Sequence, residues 1–102
     1  MEFSTHNQKE INISGTSLVG SIQCSFAQLK KVFGEPSKGD GYKTDAEWEI
    51  EFKDGTIATI YNYKDGKNYC GSKGIAKTKL TDWHIGSFDI RAVSYIKKEL
   101  GF

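Results

Sequence analysis

The sequence has little of what builds linkers, cross-links and membrane spans. Its 102 residues include one proline, Pro36, one methionine and two cysteines. No segment approaches the roughly 20 apolar residues of a membrane-spanning helix. The polar start of the chain, residues 1–10, lacks the apolar stretch of a secretory signal. These absences favour a single soluble, cytosolic domain without a linker.

Neither sign of charge is in excess. Lys and Arg number 14, Asp and Glu number 13, and the formal net charge is +1. Proteins that bind nucleic acid broadly carry a basic excess, and proteins that imitate DNA carry an acidic one. The balance therefore argues against both classes, although it leaves a local basic patch open.

The two cysteines, Cys24 and Cys70, do not form a C-x-x-C pair, so the sequence predicts no metal site. We expect both to be reduced thiols. Cys24 could act as a nucleophile with His84 as its base, but a lone cysteine is more often a small core residue. The prediction is therefore a protein with no catalytic residue, metal or cofactor.

Strict alternation from Ala46 to Phe52 predicts a half-buried strand. Its glutamates, Glu47, Glu49 and Glu51, are expected to face solvent. Asp54-Gly55 suits a two-residue type I′ turn, with a return strand over residues 56–63. That register predicts three pairs on one face: Phe52 with Ile57, Ile50 with Thr59, and Trp48 with Tyr61.

Other patterns complete the fold. Extended segments are predicted over residues 10–23, 68–70 and 80–86. One helix should begin at the Ser25 cap, with Gln28 completing a capping box, and end at Gly34 before Pro36. A last helix should be capped by Ser87 or Asp89, bury Ala92, Val93, Ile96 and Leu100, and end at Gly101.

The order β-α-β-β-β-α predicts the α+β class, with a mostly antiparallel sheet of four to five strands and two helices on one face. Residues 1–10 show no periodicity and are expected to form a disordered or variable tail. The single domain is then expected over residues 11–102.

The candidate binding residues are aromatic side chains interleaved with lysines near loops and strand ends. Such a mixture suits a nucleotide, because the base stacks on a ring and the phosphates pair with cations. His84 could also be a strand histidine bonded to its neighbours, and the lysines could merely solubilise the chain. The predicted ligand-binding set is Tyr63, Lys64, Lys67, Tyr69, Lys73, Trp83 and His84.

Residues 47–66 read EWEIEFKDGTIATIYNYKDG, and residues 83–86 read WHIG. They follow ISGTSL at residues 13–18 and FGEP at residues 33–36. These blocks resemble a family of small uncharacterised proteins encoded by bacteriophages. The resemblance spans residues 11–101. It implies a phage protein with an anti-defence role that acts in the cytoplasm of the infected bacterial host.

Three functions follow as hypotheses. The first is a non-catalytic protein that sequesters a nucleotide-derived bacterial immune signal, as a homo-oligomer that encloses the ligand. The second is an inhibitor of a host defence protein, such as a CRISPR or restriction nuclease, that uses an exposed aromatic surface or sheet edge. The third is an enzyme that degrades such a signal through His84 with Asp82 or Cys24. The sequence ranks them in that order.

Overall fold

The computed structural model describes all 102 residues and confirms an α+β domain with an antiparallel sheet. Five strands lie in the order β1-β3-β4-β5-β2. Two 3-10 turns, Gly71–Lys73 and Lys77–Lys79, precede the last strand. The strands and α-helices are β1 (Phe3–Thr5), β2 (Ser17–Gln23), α1 (Phe26–Phe33), β3 (Glu47–Phe52), β4 (Ile57–Tyr61), α2 (Lys67–Cys70), β5 (Asp82–Ser87) and α3 (Arg91–Glu99).

Helix α1 forms as its sequence predicts. The Ser25 hydroxyl accepts a hydrogen bond from the Gln28 amide, and the Gln28 side chain accepts one from the Ser25 amide. Gly34, at φ 85°, ends the helix. Its carbonyl also accepts a 2.7 Å bond from the indole of Trp48, which ties the helix end to β3.

The hairpin between β3 and β4 has the predicted strands but a different turn. Ile50 pairs with Ala58 and Trp48 with Ile60, one residue away from the predicted register. The Gly55 amide donates to the Phe52 carbonyl, and Gly55 has φ 92°. The connection is therefore a three-residue loop in which a left-handed glycine follows a tight turn, rather than a two-residue type I′ turn.

The chain before Ser17 differs from its expectation at two places. Phe3 to Thr5 pair with β3 instead of fraying, and the Phe3 ring packs on Phe33 at 5.2 Å. The contact between the rings of Phe3 and Phe33 stabilises β1. This strand is too short to show a periodic pattern in the sequence. The alternation of Ile11 and Ile13 does not form a strand, and β2 begins only at Ser17.

Residues 68–70 also differ from the prediction, since they lie in the short helix α2 instead of a strand. Helix α3 begins at Arg91, with Asp89 accepting a hydrogen bond from the Arg91 amide. Ala92 and Ile96 are buried, and Val93 and Leu100 pack against the core as predicted.

The core lies on one face of the sheet, under α1 and α3. The two tryptophans, Trp48 and Trp83, meet there edge to face at 5.4 Å and are fully buried. The same cluster contains Leu29 and Phe33 of α1 and Ile96 of α3. Burial of such large apolar side chains is the main stabilising term for a domain of this size.

The opposite face of the sheet is polar and partly covered. Because β1 and β2 are opposite edges, residues 6–16 must cross the sheet, and Lys9 forms an ion pair with Glu51 on this face. The amide of Glu49 donates to His6 Nδ1. The crossing segment covers the hairpin end of the polar face and leaves its other end accessible.

Candidate ligand-binding site

Four side chains form a row at the accessible end of the polar face. Glu47 pairs with Tyr61 across β3 and β4, Tyr61 with His84 across β4 and β5, and His84 with Ser21 across β5 and β2. Side chains opposite one another in antiparallel strands share a face and contact each other. The fold thus brings residues from four separate segments into one line.

The imidazole of His84 is held between two tyrosine rings. It stacks on Tyr63, with the ring centroids 5.4 Å apart and the planes inclined by 22°. It meets Tyr61 edge to face at 5.6 Å and 73°. His84 is half-buried and Tyr63 is exposed, so the stacked pair is accessible from solvent.

Lys64 continues this surface in an unusual backbone conformation. It has φ 61°, and it is the one residue other than glycine with positive φ. Its ammonium lies 5.2 Å from the ring centroid of Tyr63 and 5.4 Å from that of Tyr69. Tyr69 in turn contacts Tyr42 at 5.3 Å. We refer to Tyr42, Tyr69, Tyr63, His84 and Tyr61 as the aromatic row.

The backbone around Lys64 is fixed by two neighbouring segments. Its amide donates a 2.8 Å hydrogen bond to the carbonyl of Lys43. Its carbonyl accepts a 3.2 Å bond from the thiol of Cys70. A left-handed conformation at a residue with a Cβ is unfavourable by about 1 kcal/mol or more, and it persists where the surroundings impose it.

A groove of about 420 Å³ adjoins the stacked pair of Tyr63 and His84. Two carboxylates, Asp65 and Asp82, line it, and no lysine or arginine does. We call it the His84 groove. It is lined by Ser21, Ile22, Gln23, Tyr63, Asp65, Asp82, Trp83 and His84.

The loop that carries Tyr63 and Lys64 is anchored by Asn62, which is fully buried. The Asn62 side-chain oxygen accepts bonds from the amides of Asp45 and Ala46, at 2.7 and 3.1 Å. Its amide group donates to the carboxylates of Asp45 and Asp65, at 2.9 and 3.1 Å. All four hydrogen-bonding positions of this amide are used, which holds the loop against the start of β3.

The environment of Glu47, beside Tyr61, differs from the prediction that the glutamates of β3 are fully exposed to solvent. Burial, with the neighbouring negative charge of Glu49 adding to it, raises the pKa of Glu47 to about 7. Burial, together with the charge of Glu47, also raises the pKa of Tyr61. The glutamates of β3 are half-buried, because the polar face is partly covered.

The predicted binding residues separate into three groups. Tyr63, Lys64, Tyr69 and His84 come together in the structure. Trp83 does not present its ring to a ligand. Its indole is fully buried, and the indole N–H donates a 3.0 Å bond to the carbonyl of Cys24.

Lys67 and Lys73 are exposed on the far part of the same loop. The ammonium of Lys67 lies 3.5 Å from the carbonyl of Ser72, and neither lysine contacts a ring of the aromatic row. Both lysines are positioned by the turn of the chain through α2 and the 3-10 segment after it. The sequence does not predict this turn.

The arrangements suggested for catalysis are not formed. Cys24 lies in the core, on the opposite side of the sheet from His84, and burial raises the pKa of its thiol to about 11. The carboxylate of Asp82 accepts a 3.0 Å bond from Gln23, and no hydrogen bond joins it to His84. Cys70 is exposed and its thiol donates to Lys64, so the two cysteines are not paired.

Several site residues were outside the predicted set. The sequence names Asp82 only as a catalytic partner of His84, although strand periodicity places both side chains on one face and also predicts Asp82 at a binding site. Ser21 and Gln23 reach the groove only because β2 pairs with β5. That pairing joins segments far apart in the chain and leaves no local signal.

A larger depression, of about 510 Å³, lies at the β1 edge. Its charged side chains pair with one another: Lys9 with Glu51, and Lys53 with Glu2 at 3.8 Å. Because these charges are already compensated, we place the candidate site at the smaller His84 groove.

Compared with protein-family models, the chain matches none, and no curated protein matches its sequence. No helix of the structure is both long enough and apolar enough to cross a membrane.

Proposed function

We propose that this protein binds a nucleotide-type small molecule at the aromatic row and releases it chemically unchanged. The observation that carries the proposal is the position of Lys64. Its backbone adopts a left-handed conformation, and its cation lies over two tyrosine rings beside the stacked pair of Tyr63 and His84. Strain of this kind concentrates at functional sites.

The chemistry of the site supports a nucleotide. Aromatic faces stack with bases of any type, and a cation adjacent to them can neutralise a phosphate. Tyr63 and His84 supply the faces, and Lys64 supplies the cation. The engagement of Cys24 in the core and of Asp82 with Gln23 supports binding rather than nucleophilic or acid–base catalysis.

The biological setting of the proposal rests on the resemblance to small bacteriophage proteins. In that setting the protein sequesters a nucleotide-derived signal of bacterial immunity in the cytoplasm of the infected host. Assembly into a homo-oligomer would enclose more of the ligand, because a chain of this size encloses little of it by itself.

Calorimetry with a panel of cyclic di- and trinucleotides and ADP-ribose isomers tests the proposal. At least one compound should bind, with affinity lowered about tenfold or more in His84→Ala and Lys64→Ala, which corresponds to roughly 1.4 kcal/mol each. Lys98→Ala removes an exposed lysine of α3 and should bind like the wild type. Mass spectrometry should recover the ligand intact. No binding by any compound, or conversion of the ligand, would refute the proposal.

A second candidate function, inhibition of a host defence protein, is favoured by a different surface. Leu18, Phe88 and Ile90 are 59%, 61% and 72% exposed. Leu18 lies near the start of the edge strand β2, and Phe88 and Ile90 follow β5, its neighbour. Exposed apolar side chains beside a free strand edge are typical of protein interaction sites.

Capture of a defence effector from bacterial lysate distinguishes the two functions. Under the second function, Phe88→Ser together with Ile90→Ser should abolish capture, whereas His84→Ala should leave it intact. Loss of capture in His84→Ala alone would instead connect the effector to the aromatic row.

A further inference from the structure

Two of the side chains that line the His84 groove, Asp65 and Asp82, are carboxylates, which when ionised only accept hydrogen bonds. Asp82 uses Oδ1 to accept from Gln23, and Asp65 uses Oδ1 to accept from Asn62. The second oxygen of each carboxylate has no partner within the protein. The side-chain oxygen of Gln23 is a further acceptor. With no lysine or arginine in its lining, the groove is unsuited to a phosphate.

We propose that the His84 groove takes a guanine base and recognises the paired N–H donors at its Watson–Crick edge. The inference rests on the proposed function and names the base within it. Guanine carries an imino N–H beside an amino group, so an ionised carboxylate can accept from both at once. The planar ring would lie against Tyr63 and His84, where stacking contributes about 1–3 kcal/mol.

The other bases fit this lining less well. Adenine and cytosine place a ring acceptor beside their amino donor, and uracil places its single N–H between two carbonyls. Each would set one of its own acceptors against a carboxylate oxygen, where no hydrogen bond can form. The pattern of hydrogen-bond donors therefore distinguishes guanine from the other bases, whereas stacking does not distinguish among them.

The position of the cation agrees with this orientation. Lys64 contacts the rings of Tyr63 and Tyr69 and is not among the groove residues. A nucleotide with its base in the groove would then direct its phosphate toward Lys64. Base and phosphate are thus bound by two parts of the site with opposite charge.

Titration with the 5′-monophosphates of guanosine, inosine and adenosine tests the inference. Inosine keeps the imino N–H of guanosine but lacks the amino group. We expect guanosine monophosphate to bind best, inosine monophosphate about tenfold more weakly, and adenosine monophosphate more weakly still. Asp82→Asn should remove the preference. Glu35→Gln neutralises an exposed carboxylate outside the groove and should retain it.

The outcomes separate this inference from the proposed function. Equal binding of the three nucleotides, with affinity still lost in His84→Ala, would overturn the guanine assignment and leave the proposed function standing. Tighter binding of arginine amide than of guanosine monophosphate would also overturn it, in favour of a guanidinium ligand. If neither these monophosphates nor any compound of the calorimetry panel binds to protein shown to be folded by circular dichroism, both proposals fail. Asp65→Asn serves as a second groove variant and should weaken the same preference.

Discussion

The imidazole of His84, on β5, stacks on the ring of Tyr63, just beyond the end of β4, with a centroid distance of 5.4 Å. This contact joins the polar face of the sheet to the loop that carries Lys64. Asn62 fixes that loop from below through four hydrogen bonds. These contacts hold the stacked pair and the loop in place without a ligand, so the proposed binding would lose less conformational entropy.

The strained backbone of Lys64 predicts that two substitutions at this position differ in stability but weaken binding equally. Lys64→Gly should be more stable than Lys64→Ala by about 1 kcal/mol, because glycine adopts φ 61° without a Cβ penalty. Both variants should lose about tenfold in nucleotide affinity, since both lack the cation. Urea unfolding and calorimetry measure the two effects. Equal stability of the two variants would contradict the strain, and unchanged affinity would contradict the role of the cation.

The raised pKa of Glu47 predicts that stability falls with rising pH. The pKa is about 7 in the folded protein, against about 4.3 in an unfolded chain. Between these values the folded state binds more protons, so the free energy of unfolding decreases as pH rises and stays lower above about pH 7.

Glu47→Gln tests this dependence because it removes the titrating group while keeping its shape. The variant should match the wild type near pH 4 and exceed its stability by about 1 kcal/mol near pH 8.5, a figure reduced for the partial exposure of the side chain. Glu10→Gln, which removes an exposed carboxylate elsewhere, should give no such gain. Urea unfolding across this range of pH measures the dependence. If the assignment is wrong, the free energy of unfolding of the wild type will not decline as pH rises.

The buried amide of Asn62 predicts a large loss on truncation. Asn62→Ala should lower the free energy of unfolding by about 2–4 kcal/mol, because it leaves the amides of Asp45 and Ala46 without an acceptor. Hydrogen exchange should rise in residues 62–81 and at the start of β3. Asn12→Ala, in which an exposed side chain is lost, is the control and should change stability little. A small effect in Asn62→Ala would show that the loop is held by other contacts.

The two thiols should react very differently. Cys24 is buried and its pKa is about 11, whereas Cys70 is exposed. Since the thiolate is the reactive form, iodoacetamide at pH 8 should add one group to the native protein, at Cys70, and two after unfolding. Peptide mass spectrometry locates the adducts. Rapid modification of Cys24 in the native state would contradict its place in the core.

The sequence alone determined the elements whose signals are local. The Ser25 capping box, the alternation of β3 and the helical spacing of α3 all depend on residues a few positions apart, and all three elements formed as predicted. Local signals also sufficed to place Tyr63, Lys64 and His84 among the candidate residues.

The tertiary structure decided whatever depends on pairing between distant segments. Phe3 to Thr5 became a strand because β3 offers an open edge, and the hairpin register followed from a three-residue loop that the Asp-Gly pair does not specify by itself. Trp83 and His84 are adjacent and alternate across β5, so Trp83 lies in the core and His84 lies in the candidate site. Which of the two faces is buried is decided by the helices that pack on the sheet, and no single strand contains that information.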